Sequence, residues 1–328
     1  MNRRTESGAA AVSASDLSVT YPGGGGRDAF LALNGLTFDV AEGSTLGIVG
    51  ESGSGKSTFL RVLAGETGPS AAGVPSITGG DVTVLGTRMR RASRRRRTRL
   101  SATVGYLAQN AGSALDPQLT VGENIASPIF ARDRRFDERE AGRRVFTLVD
   151  AVALPSSVLA LFPHELSSGQ RQRVAIARSL VLGPRLWVAD EPTAGIDVLG
   201  RDAVLDLLRG LQQRAGFSAV IGSHDIAVAS RLSSRLVLLN RGVMVGLGTI
   251  DDLLTAPDHP YVAGLKASLA DAERGRAGPG RAGSTQAGGT QANGTQANGT
   301  QANGTQENGT QADFTRADGT QANGVDVQ

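Results

Sequence analysis

The 328-residue chain predicts one α/β domain, a largely parallel sheet with helices on both faces, followed by a tail. Three observations carry that expectation. Short apolar runs alternate with stretches of helical period over residues 33–239. Two of these runs, at 46–49 and 186–189, are unbroken by polar residues, as strands buried on both faces must be. The last 58 residues, 271–328, hold almost no large apolar side chains and cannot build a core. The rest suffices for one large domain or a domain with a subdomain.

Taken in order, residues 1–14 are small and polar and read as a flexible arm. The first strand pattern is Leu17-Ser18-Val19-Thr20-Tyr21, followed by a turn through residues 22–26 and a second strand at 33–40. The Leu46-Gly47-Ile48-Val49 run reads as a buried strand feeding a helix at 56–63 that stops at Gly65. Residues 80–108 read as short strands around an arginine-rich segment. Helical patterns follow at 137–153 and 167–182, then a buried strand after the Gly183-Pro184 turn. Helix 201–214, strand 219–223, helix 225–232, strand 235–239 and a hairpin at 240–242 complete the domain, set at 15–270. From 284 to 323 run eight five-residue units, mostly Gly-Thr-Gln-Ala-Asn, with Phe314 their only large apolar side chain. Such a tail, 271–328, is expected to be a disordered tether.

Composition excludes several classes. There are no cysteines, so no disulfide scaffold, thiolate zinc site or cysteine-held iron–sulfur cluster; a reducing compartment is the expectation. No run of 18 apolar residues occurs to span a membrane, and the amino terminus lacks the apolar stretch of a secretory signal. The net charge of +3 arises from 34 basic and 31 acidic residues, but eight arginines fall within 88–99. Without that run the chain is acidic, so its basicity is local and does not mark a nucleic-acid-binding surface. Only Lys56 and Lys266 are lysines.

Lys56 lies in the strongest motif. Gly50-Glu51-Ser52-Gly53-Ser54-Gly55-Lys56-Ser57-Thr58 fits G-x-x-x-x-G-K-[ST], between the buried strand and its helix. Glycines there let the backbone wrap phosphate oxygens, so that amides and the helix start face the anion. Lys56 adds a compact charge for the β- and γ-phosphates, and Ser57 offers a hydroxyl to Mg²⁺. The second motif is the strand ending Asp190-Glu191. Asp190 is placed to bind metal, and Glu191 to orient or deprotonate water. Together the two motifs point to an Mg·nucleotide site. A third stretch, Leu166-Ser167-Ser168-Gly169-Gln170, opens a helix just before the acidic strand.

With that stretch, residues 16–266 resemble the ATP-binding subunits of ABC transporters, whose signature is LSGGQ. The resemblance implies a P-loop NTPase of the ABC type: α/β, a mainly parallel sheet core with an antiparallel β subdomain and a helical subdomain at about 110–182. It implies ATP and Mg²⁺ as ligands and ATP hydrolysis as the activity. Tyr21 resembles the aromatic that stacks on adenine. Gln109 resembles the Q-loop glutamine that touches Mg²⁺ or water and senses the membrane partner. Ser167, Ser168, Gly169 and Gln170 resemble the signature that completes the opposite subunit's ATP site. Asp197 matches the D-loop, and His224 the switch histidine at the γ-phosphate. Implied partners are a second ABC ATPase subunit, transmembrane permease subunits and, indirectly, an extracytoplasmic solute-binding protein, at the cytoplasmic face of the membrane; nucleic acid is not among them.

The segment at 110–125 and His259-Pro260-Tyr261 are similar to the peptide and nickel importers within the family, so import of peptides or a related small solute is the expected task. An ABC exporter ATPase, or a soluble ABC ATPase of DNA repair or translation, is the alternative. Departures are Ser168 for the first signature glycine, expected to slow turnover, Ala108 before Gln109, and Gly195-Ile196 in the D-loop. The cysteine-bearing extension of many such importers is absent. The arginine run at 88–99 reads first as a solvated charged segment; a contact with anionic headgroups or acidic permease loops is the functional alternative.

Overall fold

The computed structural model describes residues 10–23, 28–68, 73–255 and 259–266. The chain divides into two units, Met1–Gly278 and Pro279–Gln328, and every described residue belongs to the first. The repeat tail, the loop glycines Gly24, Gly25 and Gly26 and most of the proposed amino-terminal arm lie outside the described residues.

Strand β1 (Ala10–Tyr21) begins earlier than the sequence suggests. Ala11 and Val12 are fully buried, and Val12 pairs with both Val40 and Val84. The expectation of an arm reaching residue 14 is therefore corrected. Small residues mask the alternation at 10–14, and its partner strands are distant in sequence. Strands β2 (Phe30–Ala41), β4 (Ser76–Val84) and β5 (Thr87–Arg88) join β1 in an antiparallel sheet of order β2-β1-β4-β5.

The second sheet has the order β10-β9-β3-β8-β7-β6. It holds β3 (Thr45–Val49), β6 (Val104–Leu107), β7 (Leu186–Asp190), β8 (Ser218–Ser223), β9 (Arg235–Asn240) and β10 (Val243–Gly248). All neighbours are parallel except β10, the antiparallel edge. Period-two alternation divides each central strand between two layers. Leu46, Ile48, Leu186, Val188 and Val220 pack with α1 (Lys56–Leu63) and the antiparallel sheet. Trp187, Ala189, Ala219 and Ile221 face the other layer, with α6 (Val198–Ala215) and the helical subdomain.

That subdomain contains α3 (Val121–Arg132), α4 (Glu138–Ala151) and α5 (Ser168–Leu180). Helix α3 was not foreseen as a helix, because Pro128 interrupts its pattern. Its start was legible: Thr120 accepts from the Glu123 amide while the Glu123 carboxylate accepts from the Thr120 amide. The arginine-rich segment also folds as a helix, α2 (Arg94–Leu100), with Ser93 capping the Arg96 amide. Helices α7 (Ile226–Leu232) and α8 (Ile250–Thr255) pack against β9 and β10, and residues 260–266 are helical again. No helix among the described residues is long and apolar enough to cross a membrane.

Candidate functional site

Because β3, β6, β7 and β8 run parallel, their carboxyl ends lie along one edge of the sheet, where open α/β folds bind ligands. The loop 50–55 leaves β3, Gln109 follows β6, Asp190 and Glu191 end β7, and His224 follows β8. Register keeps these ends level: Val49 pairs with Ser223, and Asp190 with Gly222.

They surround a cavity of about 350 Å³ lined by Ser52, Gly53, Gly55, Lys56, Ser57, Thr58, Gln109, Asp190, Glu191 and His224, with Phe30, Ala32 and Ala194. Gly50 and Ser54 are buried and not part of its lining. A Cβ on Gly50 would stand 2.4 Å from the Leu239 carbonyl oxygen and from Ser54 Oγ, so only glycine fits there. Gly55 adopts φ 105° directly before α1, backbone that glycine tolerates without cost. The Lys56 Nζ donates to the carbonyls of Gly50 (2.6 Å) and Glu51 (2.9 Å). Burial lowers its pKa, and Glu191, Asp190 and Glu51 oppose that shift.

Asp190 is buried, and neither carboxylate oxygen has a hydrogen-bond partner among the described residues. Its pKa is raised, first by burial; the Ser57 hydroxyl beside it and Lys56 pull the other way, while Glu191 adds to the rise. A buried carboxylate left without donors is the group a cation would satisfy. Among the described residues no three His, Cys, Asp or Glu converge on one point. Mg²⁺ in a nucleotide site does not need them, since phosphates and water complete its octahedron. The residues present thus fit Mg²⁺, with Asp190, Ser57 and Gln109 as the side chains to hold it.

Glu191 sits at φ 52°, a left-handed conformation uncommon outside glycine. Its amide donates to the Gly222 carbonyl (2.9 Å). Its Oε1 accepts from the His224 amide at 2.7 Å and meets His224 Nδ1 at 2.8 Å. A carboxylate only accepts, so Nδ1 must carry the proton. Ser223 Oγ lies 3.4 Å from the other oxygen. Glu191 is held from three sides and lines the same cavity.

The remaining expected residues lie elsewhere. Tyr21 does not line the cavity; its hydroxyl is 3.2 Å from Thr58 Oγ1 and accepts from Arg61. Phe30, paired opposite Tyr21 and 63% exposed, is the aromatic that does line it. Sequence reading passed over Phe30, because only the register between β1 and β2 brings it there. Ser167, Ser168, Gly169 and Gln170 form the start of α5, outside the cavity. Ser167 Oγ accepts from the Gln170 amide (3.2 Å), and Gln170 Oε1 accepts from the Ser167 amide (2.9 Å). Asp197 caps α6 by accepting from the Gly200 amide (2.7 Å). A Cβ on Gly195 would lie 4.0 Å from Ser168 Cβ, so signature and D-loop are neighbours on one exposed edge.

Gln172 was also missed. Fully buried, it donates to the Pro192 carbonyl (3.0 Å) and accepts from the Gly112 amide (3.3 Å). It ties the segment after Gln109 to the turn after Glu191. A polar residue inside an apolar helical stripe was the available signal. His259 Nδ1 accepts from the Tyr261 amide (3.1 Å). Burial, then the charge of Glu51, raises the Tyr261 pKa.

Fold and cavity together define a P-loop nucleotide triphosphatase, with the lysine and two carboxylates of that chemistry at the carboxyl edge of the sheet. Comparison with known proteins narrows the class. Residues 33–194 match the family model described as ABC transporter. The oligopeptide transport ATP-binding protein OppF of Escherichia coli (strain K12) is 33% identical over 276 residues, 82% of this chain and 80% of that protein. A putative peptide import ATP-binding protein of Brucella abortus (strain 2308) is 36% identical over 261 residues, 79% of this chain and 75% of the relative. Among solved structures, the dimeric ATP-binding cassette MJ0796 in a post-hydrolysis state bound to ADP and Pi superposes with TM-score 0.64. It is 28% identical and covers 73% of this chain and 98% of that one. The chain belongs to the ABC transporter family, and its described unit is an ABC ATPase cassette.

Proposed function

We propose that this chain binds and hydrolyses Mg·ATP to power an ABC importer of peptides or a related small solute, at the cytoplasmic face of the membrane. Two cassettes, this chain with a copy or a paralogue, pair so that each cavity is closed by the other's 167–170 stretch, and they act on transmembrane permease subunits. The observation that carries the reading is the convergence of Lys56, Asp190, Glu191 and His224 on one cavity in which Asp190 lacks a partner. Similarity to peptide-import ATP-binding proteins supports the choice of solute.

The chain's own groups divide the work. Loop amides and Lys56 offset phosphate charge where it develops, which costs no reorganisation because the loop is already wrapped. Asp190, Ser57 and Gln109 would hold Mg²⁺, which would supply positive charge to offset that of the phosphates. Glu191 positions water and takes its proton, with one carboxylate oxygen fixed by the amide and ring of His224.

Glu191→Gln tests this assignment. ATP affinity should stay near normal, because the amide keeps size and polarity. Steady-state phosphate release should fall about 100-fold or more, and an ATP-dependent dimer should accumulate in size-exclusion chromatography. Hydrolysis at the normal rate would remove Glu191 from the role.

A further inference from the structure

The arginine run takes no part in the nucleotide cavity. Around α2 only Met89, Ala92 and Leu100 are buried, while Arg91, Arg94, Arg95, Arg96 and Arg99 are exposed. Arg88 pairs with Asp81 (2.9 Å), and Arg90 donates to the carbonyls of Gly80 and Thr78. Among the described residues no carboxylate pairs with Arg91, Arg94, Arg95, Arg96 or Arg99. Arg88, Arg91, Arg96, Arg99 and Arg185 share the wall of an open depression of about 750 Å³ without an aromatic side chain. Arg185 is already engaged by Glu42 (2.9 Å).

This arrangement is costly for a free helix. Arg95 and Arg99 lie four apart, and Arg96 and Arg99 three apart, so like charges face one another along α2. Seven residues burying one leucine offer little to offset that. A multivalent anion outside the chain would. Arginine forks match phosphate oxygens two at a time, and a bilayer surface presents many phosphates in one plane. Single-stranded nucleic acid would call for aromatic platforms, which the depression lacks.

We propose that this face, Arg91, Arg95, Arg96 and Arg99 above all, docks on anionic phospholipid headgroups and holds the cassette against the bilayer beside its permease. The inference rests on the membrane-coupled function proposed above. Binding to lipid is nonetheless measurable without any permease, so the two can fail separately.

The test is co-sedimentation of the purified full-length chain with vesicles of phosphatidylcholine alone or mixed with phosphatidylglycerol, at low and high salt, with ATP turnover assayed on the same samples. Sedimentation should require phosphatidylglycerol and be lost at high salt. At about fivefold per arginine, the Arg91→Gln/Arg95→Gln/Arg96→Gln/Arg99→Gln variant should bind mixed vesicles at least about a hundredfold more weakly, with ATP turnover unchanged. Equal binding to both vesicle types, or binding to neither by a chain that still hydrolyses ATP, overturns the lipid site and leaves the proposed function standing. Capture by an acidic polypeptide or RNA but not by vesicles overturns it too, as does full binding by the variant. The wild-type lipid and salt dependence decides the matter even if the variant folds poorly.

Discussion

The phosphate-loop edge and the signature edge of the cassette use the same residue types in opposite ways. At the phosphate loop, polar groups are buried and left wanting: Asp190 has no donor at hydrogen-bond distance, only the Ser57 hydroxyl nearby, and Lys56 is satisfied only by carbonyls of its own loop. At the signature, Ser167 and Asp197 are exposed and Gln170 is half-buried, and all three spend their hydrogen bonds capping α5 and α6. A site built for a charged ligand keeps unmet demand inside a cavity, whereas a surface whose polar groups are already spent on caps has none to offer a small ion. On the function proposed above, the exposed edge would close the cavity of a second cassette.

The largest effect that would break this contrast comes from the exposed edge. Ser168→Arg should leave ATP affinity and thermal stability of the isolated chain near normal, since the side chain points to solvent. Turnover should fall by about 100-fold or more, because a bulky charge would obstruct the closing surface. A matching loss of ATP affinity in the monomer would show that the signature serves its own chain's cavity.

Gln172→Leu probes the link between the edges. Losing both hydrogen bonds strands the Pro192 carbonyl and the Gly112 amide, at a cost of about 1–3 kcal/mol. For a domain of this size the melting temperature should drop by about 2–4 °C per kcal/mol, with a larger loss of turnover than of ATP affinity. An unchanged melting curve would mean the two segments hold without the glutamine.

The smallest effect has the opposite sign. A carboxyl whose pKa is higher folded than unfolded weakens the fold in full at pH values above the folded pKa, and the cost is relieved as pH falls through that value toward the unfolded one. Burial raises Asp190 in this way. Asp190→Asn should therefore stabilise the nucleotide-free chain at neutral pH by about 1 kcal/mol, while Mg·ATP no longer raises its melting temperature. Calorimetry with and without Mg·ATP reads both, and a destabilised apo variant would mean that Asp190 has an internal partner.

Most of the cavity was legible because its chemistry is compressed into short motifs. The loop at 50–58, the Asp190-Glu191 strand end and His224 each sit beside a strand whose apolar run announces it. Ala11 and Val12 were hidden because small residues carry little alternation and their partners are some 30 and 70 residues away. Helix α3 was hidden by Pro128, although the Thr120–Glu123 pair marked its start. Phe30 at the cavity wall was hidden, since which aromatic lines it depends on strand register.

By itself, then, the sequence determined which groups the chemistry has available: one lysine in a glycine loop, two carboxylates at a strand end, a histidine after the next strand. These are local choices, made by spacing and by the conformational needs of glycine. Tertiary structure alone decided that Asp190 would be stranded, that His224 would clamp Glu191, that Gln172 would bridge two loops, and that five arginines would face outward unpaired. Each depends on groups far apart in the chain meeting at the level carboxyl ends of a parallel sheet, or failing to meet at the surface.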